Sequence, residues 1–417
     1  MKTLPRINIQ QLQKEIDELA GISENPAPVV TRVLFSPADL KARGRVKELC
    51  RQAGLVLRED GVGNIFAKWT GENGSLAPVA TGSHIDAIPN AGRYDGVVGV
   101  LGAIEAIRAL KSAGFQPKRP IELIIFTAEE PTRFGIGCLG SRLLAGALSL
   151  ERAEGLRDAE GRSLEELRRA AGLGGEDLRQ VRLAPKCYAA FVELHIEQGP
   201  LLEKEDIPIG VVEKIAAPST LRLRLTGVGG HAGAMLMPER HDAMLAGAEI
   251  ALAVEQAALA SGSSDTVGTT GVFRIEPGAV NSVPCGAWLE IDLRDTQVAA
   301  RDAALRRIEE SAASICARRG VKLESERLNV DAPAICEPRL VNTVTGVCGE
   351  LGIRVKRMIS RAYHDTLFMA QVCPTTMIFI PCRDGVSHRP DEFSSPEQIR
   401  CGVEVLALTL GRLASDV

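Results

Sequence analysis

Apolar positions recur with a helical period through residues 38–53, a segment that Gly54 ends. They then bunch in LVLRED, GNIFAKWTG and PVATGSH, which predict three successive strands. A longer helix is expected at 96–114, GVVGVLGAIEAIRALKSAG, apolar and rich in small residues. Residues 121–130, IELIIFTAEE, form a continuous apolar run, the signature of a strand buried on both faces, closed by two acids and Pro131. Strands of this kind between helices predict an α/β fold, a mixed sheet sandwiched by helices. Residues 150–186 are charged and Gly-rich; beyond a short helix around Leu164 to Ala170 they read as an excursion over the surface.

The pattern changes between about 213 and 332. LRLRL (221–225) alternates strictly, 241–260 is an Ala-rich helix, GVFRI and AWLEIDL are strands, 297–319 is a helix closed by Gly320, and VKLESERL is a last strand. Strand, helix, strand, strand, helix, strand is the ferredoxin-like α+β order. The first pattern then returns with the strand TTMIFIP (375–381) and a terminal helix from Pro396, where Ser395 and Gln398 have capping-box spacing. Two domains are therefore expected: 1–212 with 333–417, built from both chain ends, and an insertion at 213–332.

Composition narrows the partners. The 417 residues are 45% hydrophobic and 24% charged, which suits a globular chain with a large core. Lys plus Arg number 49 against 53 Asp plus Glu, a net charge of −4, and no basic stripe stands out, so nucleic acid is not an expected partner. The N-terminal stretch has no apolar h-region, and nowhere do about 18 uncharged apolar residues follow one another, so no membrane association is expected and the location is read as cytoplasmic. The ten Cys are scattered without a CxxC pair, as reduced thiols would be.

The chemistry sits in the histidines. Five of the six (His84, His195, His231, His364, His388) lie in segments dense with Gly, acids or Pro, and His241 alone opens a helix. His84 ends a strand and Asp95 precedes the next helix, so both can project from one sheet edge. Glu129 and Glu130 close the buried strand, where two adjacent acids repel unless a cation or water network satisfies them. His195 follows another apolar stretch and His388 lies in a loop beyond TTMIFIP. Four strand ends offering these groups make a coherent set for two divalent cations. A carboxylate bridging cations about 3.5–4 Å apart is the usual construction for acidifying a water. Asp95 is the natural bridge, and Glu129 remains to take the proton from that water and hand it to a leaving nitrogen.

TGSHIDAIPNAGRYDGVVGVLGAIEA, FTAEEPTRFGIGCLGSRLLAG, ELHIEQGP, GGHAGA, PGAVNSVP, EIDLRD, YHD and SHRPDEFSSPE together resemble the amidohydrolase branch of the dinuclear metallopeptidase superfamily. That branch holds N-carbamoyl-L-amino acid hydrolases, allantoate amidohydrolases and ureidoglycolate amidohydrolases. EEPTRFG and SRAYHD resemble the last of these, where the others more often show EEGSRF and GAGHD. The resemblance implies a zinc-aminopeptidase-like catalytic domain with an inserted lid and dimerisation domain, and metal ligands His84, Asp95, Glu130, His195 and His388. It implies manganese, with zinc as the alternative, Glu129 as general base and acid, and a cis peptide bond from Asp95 to Gly96. It further implies a homodimer with a composite active site. His231 would enter the partner subunit's site to polarise the carbonyl, Asn281 and Arg294 would bind the substrate carboxylate, and Gln198, Tyr363 and His364 would line the pocket. Without the resemblance, Arg294 suits a solvated charge and Asn281 a turn residue. The reaction implied is cleavage of the ureido C–N bond of (S)-ureidoglycolate to glyoxylate, ammonia and carbon dioxide in purine and allantoin catabolism. The carbamoyl and allantoate reactions, and a non-catalytic ligand-binding homologue, are the alternatives.

Overall fold

The computed structural model describes residues 4–175 and 177–415, so the outermost residues of both chain ends and Glu176 of the 150–186 segment lie outside the described residues. The chain forms two compact units. One comprises the described residues up to Glu213, Ile335–Met358 and those from His364 onward; the other comprises Lys214–Ala334 and Ile359–Tyr363.

The first unit is built on a mixed sheet. Its main path runs Ile209–Ile215, Thr375–Ile380, Ala190–Ile196, Val79–His84, Ile121–Phe126, Ile65–Trp69, Val56–Glu59. The four strands from Thr375–Ile380 to Ile121–Phe126 are mutually parallel, and their neighbours on both sides run antiparallel. Every residue of those four strands is buried, as their continuous apolar runs require once helices cover both faces. The helices Val97–Ser112 and Pro396–Ser415 pack on them. Ser395 and Gln398 form the expected reciprocal cap on the second helix: Gln398 N–H donates to Ser395 Oγ (3.2 Å) and Ser395 N–H to Gln398 Oε1 (2.7 Å).

Two expectations need correction. The strand from Ile121 stops at Phe126, short of the two acids. Beyond it, side chains take over the backbone donors: Thr127 N–H donates to Asn64 Oδ1, and Glu129 and Glu130 N–H donate to the two oxygens of Asp86 (3.2 and 3.0 Å). Residues 150–186 do more than cross the surface. Ala153, Leu164, Leu167, Leu173, Leu178 and Val181 are buried in one cluster with Phe66, Phe126, Leu139 and Phe191. Apart from Ala153, Leu164 and Leu167, which lie on the short helices Leu150–Glu154 and Leu164–Ala170, these positions lie outside α-helices and strands, so no longer period betrays them.

The second unit carries a four-stranded antiparallel sheet in the order Val267–Glu276, Gly286–Asp295, Ala217–Thr226, Lys322–Val330. This is the ferredoxin-like order. Along Gly286–Asp295, Ala287, Leu289, Ile291 and Leu293 are buried in a core shared with the helices Ala243–Leu259 and Val298–Arg319. The alternate residues Trp288, Glu290, Asp292 and Arg294 line the other face, the alternation of a sheet covered on one side.

Candidate metal centre and active site

The carboxyl ends of the four parallel strands converge. His84 is the last residue of its strand, His195 the last but one of its own, Glu129 and Glu130 follow Ile121–Phe126, and His388 lies in the loop beyond Thr375–Ile380. Asp95 sits in the turn that opens the helix Val97–Ser112. That turn depends on Gly96, whose φ of +65° is open to glycine and whose missing Cβ would stand 2.5 Å from the His84 ring. The bond from Asp95 to Gly96 is not among the cis peptides of the described residues, which precede Pro28 and Pro277. The positive φ of Gly96 turns the chain instead.

The two oxygens of Asp95 divide the ligands. Oδ1 lies 3.5 Å from His84 Nε2 and 3.2 Å from His195 Nε2, while Oδ2 lies 3.3 Å from His388 Nε2, which is also 3.3 Å from Glu130 Oε1. Two sets result, His84–Asp95–His195 and Asp95–Glu130–His388, each with donor atoms within 4.8 Å of one another. Glu129 Oε2 stands 3.8 Å from His84 Nε2.

The surroundings aim these donors. His84 Nδ1 is 3.1 Å from the Asp86 carbonyl and His195 Nδ1 is 2.9 Å from the Ile196 carbonyl, so both Nδ1 atoms must donate and both Nε2 lone pairs turn toward Asp95. Gly96 N–H donates to His195 Nε2 (3.2 Å), which fits the same tautomer. Imidazoles held this way around a shared carboxylate fit two divalent cations of the zinc or manganese kind.

Charge is strained in the cluster. Burial pushes Glu129 well above the usual carboxylate range, with Glu130, Asp365 and Asp95 adding to the shift against the pull of His84. Burial likewise raises Glu130 to about 7, with Asp95 contributing. Asp95 goes the other way: burial opposes it, but His195, His388 and His84 hold it well below the carboxylate range. The hydrogen bond to Asp95 lifts half-exposed His388 to about 9, against partial burial. Such mutual displacement of acids and imidazoles marks a functional site.

Four further acids and hydroxyls support the site and escaped sequence reasoning. Asp86 caps Glu129 and Glu130 as described above. Glu392 accepts from Tyr94 and Asp95 N–H, and Ser387 Oγ lies 2.6 Å from Asp95 Oδ2. Glu193, completely buried, accepts from Ser83 Oγ (2.8 Å) and from Thr366 N–H (3.2 Å) and Oγ1. Glu193 groups with His195 and His364, yet both its oxygens are engaged by donors, so it reads as a buttress. One signal was available: a glutamate inside the apolar run FVELHI has to be paired.

The remaining candidates are arranged as follows. Gln198 turns its Nε2 to Asp95 Oδ2 (2.6 Å), so here its amide braces the bridging carboxylate. His364 is buried with its ring 4.5 Å from that of His195. The other four belong to the second unit. There His231 pairs with Ser282, and Ala232 N–H donates to the Asn281 carbonyl, so His231 and Asn281 are exposed neighbours. Arg294 forms a fork with Asp292 (2.6 and 3.1 Å) and lies over the Tyr363 ring at 5.1 Å. Arg294 pairs with Val267 at one end of the hairpin, while Asn281 lies in the connection beyond Glu276 and Gly286 at the other. At about 3.3 Å per residue, the two ends stand roughly 25 Å apart.

Paired sets of imidazole and carboxylate at the ends of a parallel sheet, with a buried glutamate beside them, define a metal-dependent hydrolase. Residues 80–412 match the model of Peptidase family M20/M25/M40, and the chain belongs to that family. It is 55% identical to ureidoglycolate hydrolase of Arabidopsis thaliana over 97% of this chain and 86% of the relative. It is 38% identical to N-carbamoyl-L-amino acid amidohydrolase of Geobacillus stearothermophilus over 97% and 98% of the two chains. The crystal structure of AtUAH in complex with (S)-hydroxyglycine superposes with a TM-score of 0.94 at 53% identity, covering 100% of this chain and 99% of the other. AtUAH is also known in complex with glyoxylate. No helix among the described residues is long and apolar enough to cross a membrane.

Proposed function

We propose that this enzyme hydrolyses (S)-ureidoglycolate at the ureido carbonyl. The observation that carries the reading is the 55% identity to a ureidoglycolate hydrolase across nearly the whole chain, against 38% to a carbamoyl-amino acid hydrolase. Water adds to the ureido carbonyl and the bond to the glycolate nitrogen breaks. Hydroxyglycine leaves with carbamic acid, which falls to ammonia and carbon dioxide. Hydroxyglycine then loses its own ammonia to give glyoxylate. His84, Asp95 and His195 would hold one divalent cation and Asp95, Glu130 and His388 the other, manganese being the first choice. Bound there, the cations supply polarisation of the carbonyl and acidification of water.

The chain's own groups do the rest. Glu129, buried beside His84, takes the water proton and returns it to the departing nitrogen. Arg294, held in place by Asp292 and Tyr363, presents its guanidinium charge to the substrate carboxylate. Ureidoglycolate is far shorter than the roughly 25 Å between the two ends of the hairpin. One molecule therefore meets Arg294 of one chain with His231 and Asn281 of the partner subunit, which makes the enzyme a homodimer with composite sites. The test is ammonia release by manganese-loaded protein given (S)-ureidoglycolate, allantoate and N-carbamoyl-L-amino acids in parallel, each with a chelator control. Chelator-sensitive turnover of ureidoglycolate is expected; turnover of a carbamoyl amino acid or allantoate alone would discard the substrate and keep the machinery.

A further inference from the structure

Asp95 and His388 come from opposite ends of the chain and yet must reach the same cation position. One carboxylate spans them. Glu392 Oε1 accepts from the N–H groups of Tyr94 (2.8 Å) and Asp95 (3.0 Å), and Oε2 lies 2.9 Å from Ser387 Oγ, which in turn stands 2.6 Å from Asp95 Oδ2. Glu392 belongs to the His388 loop, where its own N–H donates to the Arg389 carbonyl. The side chain is only 4% exposed, and it fills the space over Gly92, where a Cβ would lie 2.5 Å from that of Glu392. A carboxylate that only capped a loop would have no need to bond the backbone of a ligand 297 residues away.

We infer that Glu392 is a positioning residue that sets the spacing between Asp95 and His388, and so governs the Asp95–Glu130–His388 cation position and not the other. The assignment rests on the two-cation reading given above. The His84–Asp95–His195 set has ties of its own, since both imidazoles sit on strand ends with Nδ1 bonded to carbonyls and Gly96 N–H reaches His195.

The experiment is manganese binding to chelator-stripped full-length protein by equilibrium dialysis, with metal counted by emission spectroscopy, for wild type, Glu392→Ala, Glu392→Gln, Glu392→Asp and His388→Ala. Wild type is expected to take two ions per chain. Glu392→Ala is expected to weaken the second by about 10–100-fold and leave the first unchanged. Glu392→Gln should restore it, because the amide oxygen can accept both backbone N–H groups while the amide nitrogen donates to Ser387. Should Glu392→Ala fail to fold, Glu392→Asp keeps the charge on an arm too short to reach and is expected to lose the second ion. Two ions of wild-type affinity in the Ala and Asp variants, or equal weakening of both ions, overturns the assignment. If His388→Ala keeps both ions, the two-cation reading itself falls and this assignment with it.

Discussion

The metal cluster of the first unit and the substrate-facing residues of the second are held by opposite means. Around Asp95 nearly every donor and acceptor has a fixed partner: carbonyls lock the imidazole tautomers, Asp86 caps the two glutamates, Glu392 accepts from the Asp95 N–H and Gln198 donates to the Asp95 carboxylate. In the second unit His231, on a two-residue strand, and Asn281, in a loop, lie exposed, and Arg294 and Tyr363 are half-buried. Groups that must stand ready before any ligand arrives are built into strand ends. The groups proposed to meet the substrate remain at the surface of the second unit.

The comparison predicts where a change falls. Glu129→Gln in the prearranged half should lower kcat by about 100-fold or more while metal content and KM stay near wild type, because only proton transfer is lost. Turnover at the wild-type rate would remove Glu129 from the mechanism. Arg294→Gln in the other half should raise KM by about 10–100-fold with a smaller change in kcat, the worth of a charge-assisted fork. The proposed composite site sharpens this further. Assayed at substrate well below KM, mixed dimers of Arg294→Gln and His231→Ala chains should exceed the activity of either variant alone, since one site of the pair then holds both native residues. Mixed dimers no more active than their parents would mean that a single chain supplies both Arg294 and His231 to a site.

How much of this was legible in the sequence follows the same division. The candidate ligands, which the structure gathers into two clusters, were readable because histidines and acids in Gly-rich segments after apolar runs have few structural reasons to be there. Their supports were not, since Glu193, Ser387 and Glu392 are ordinary residues until the fold sets them against a ligand. The 150–186 segment hid its core contribution because Leu164, Leu173 and Leu178 follow no period. The Asn281 loop and Arg294 can be assigned to one carboxylate on paper, and only the register of the hairpin separates them.

Protonation gives a fourth test, confined to the first unit. In the metal-free protein His388 is lifted to about 9 and Glu130 to about 7, so at neutral pH the imidazole and a good part of the carboxyl hold protons. The raised His388 pKa means that its pairing with Asp95 stabilises the metal-free fold fully below the unfolded histidine pKa of about 6.5, and that this stabilisation is lost as pH rises through about 9. Cations need the neutral imidazole, so binding must expel protons and affinity must rise with pH up to about 9. Calorimetric titration of manganese at pH 7 in two buffers of different ionisation enthalpy is expected to report release of at least about one proton per chain. Equal heats in both buffers would mean that His388 is already neutral.

The smallest effect is expected at Tyr363. Its ring lies beneath the Arg294 guanidinium, and a half-exposed contact of this kind contributes about 0.5–1 kcal/mol, or roughly two- to fivefold in affinity. Tyr363→Gly should therefore raise KM for ureidoglycolate by about that factor, through a guanidinium that keeps Asp292 but loses its platform. Removing the ring also opens space, so bulkier ureido acids should gain relative to ureidoglycolate. The two consequences separate when KM and substrate range are measured together. A higher KM with an unmoved substrate range leaves Tyr363 as the platform of Arg294 only. A broadened range shows that the ring also excludes larger substrates, and a profile unchanged in both respects removes Tyr363 from recognition.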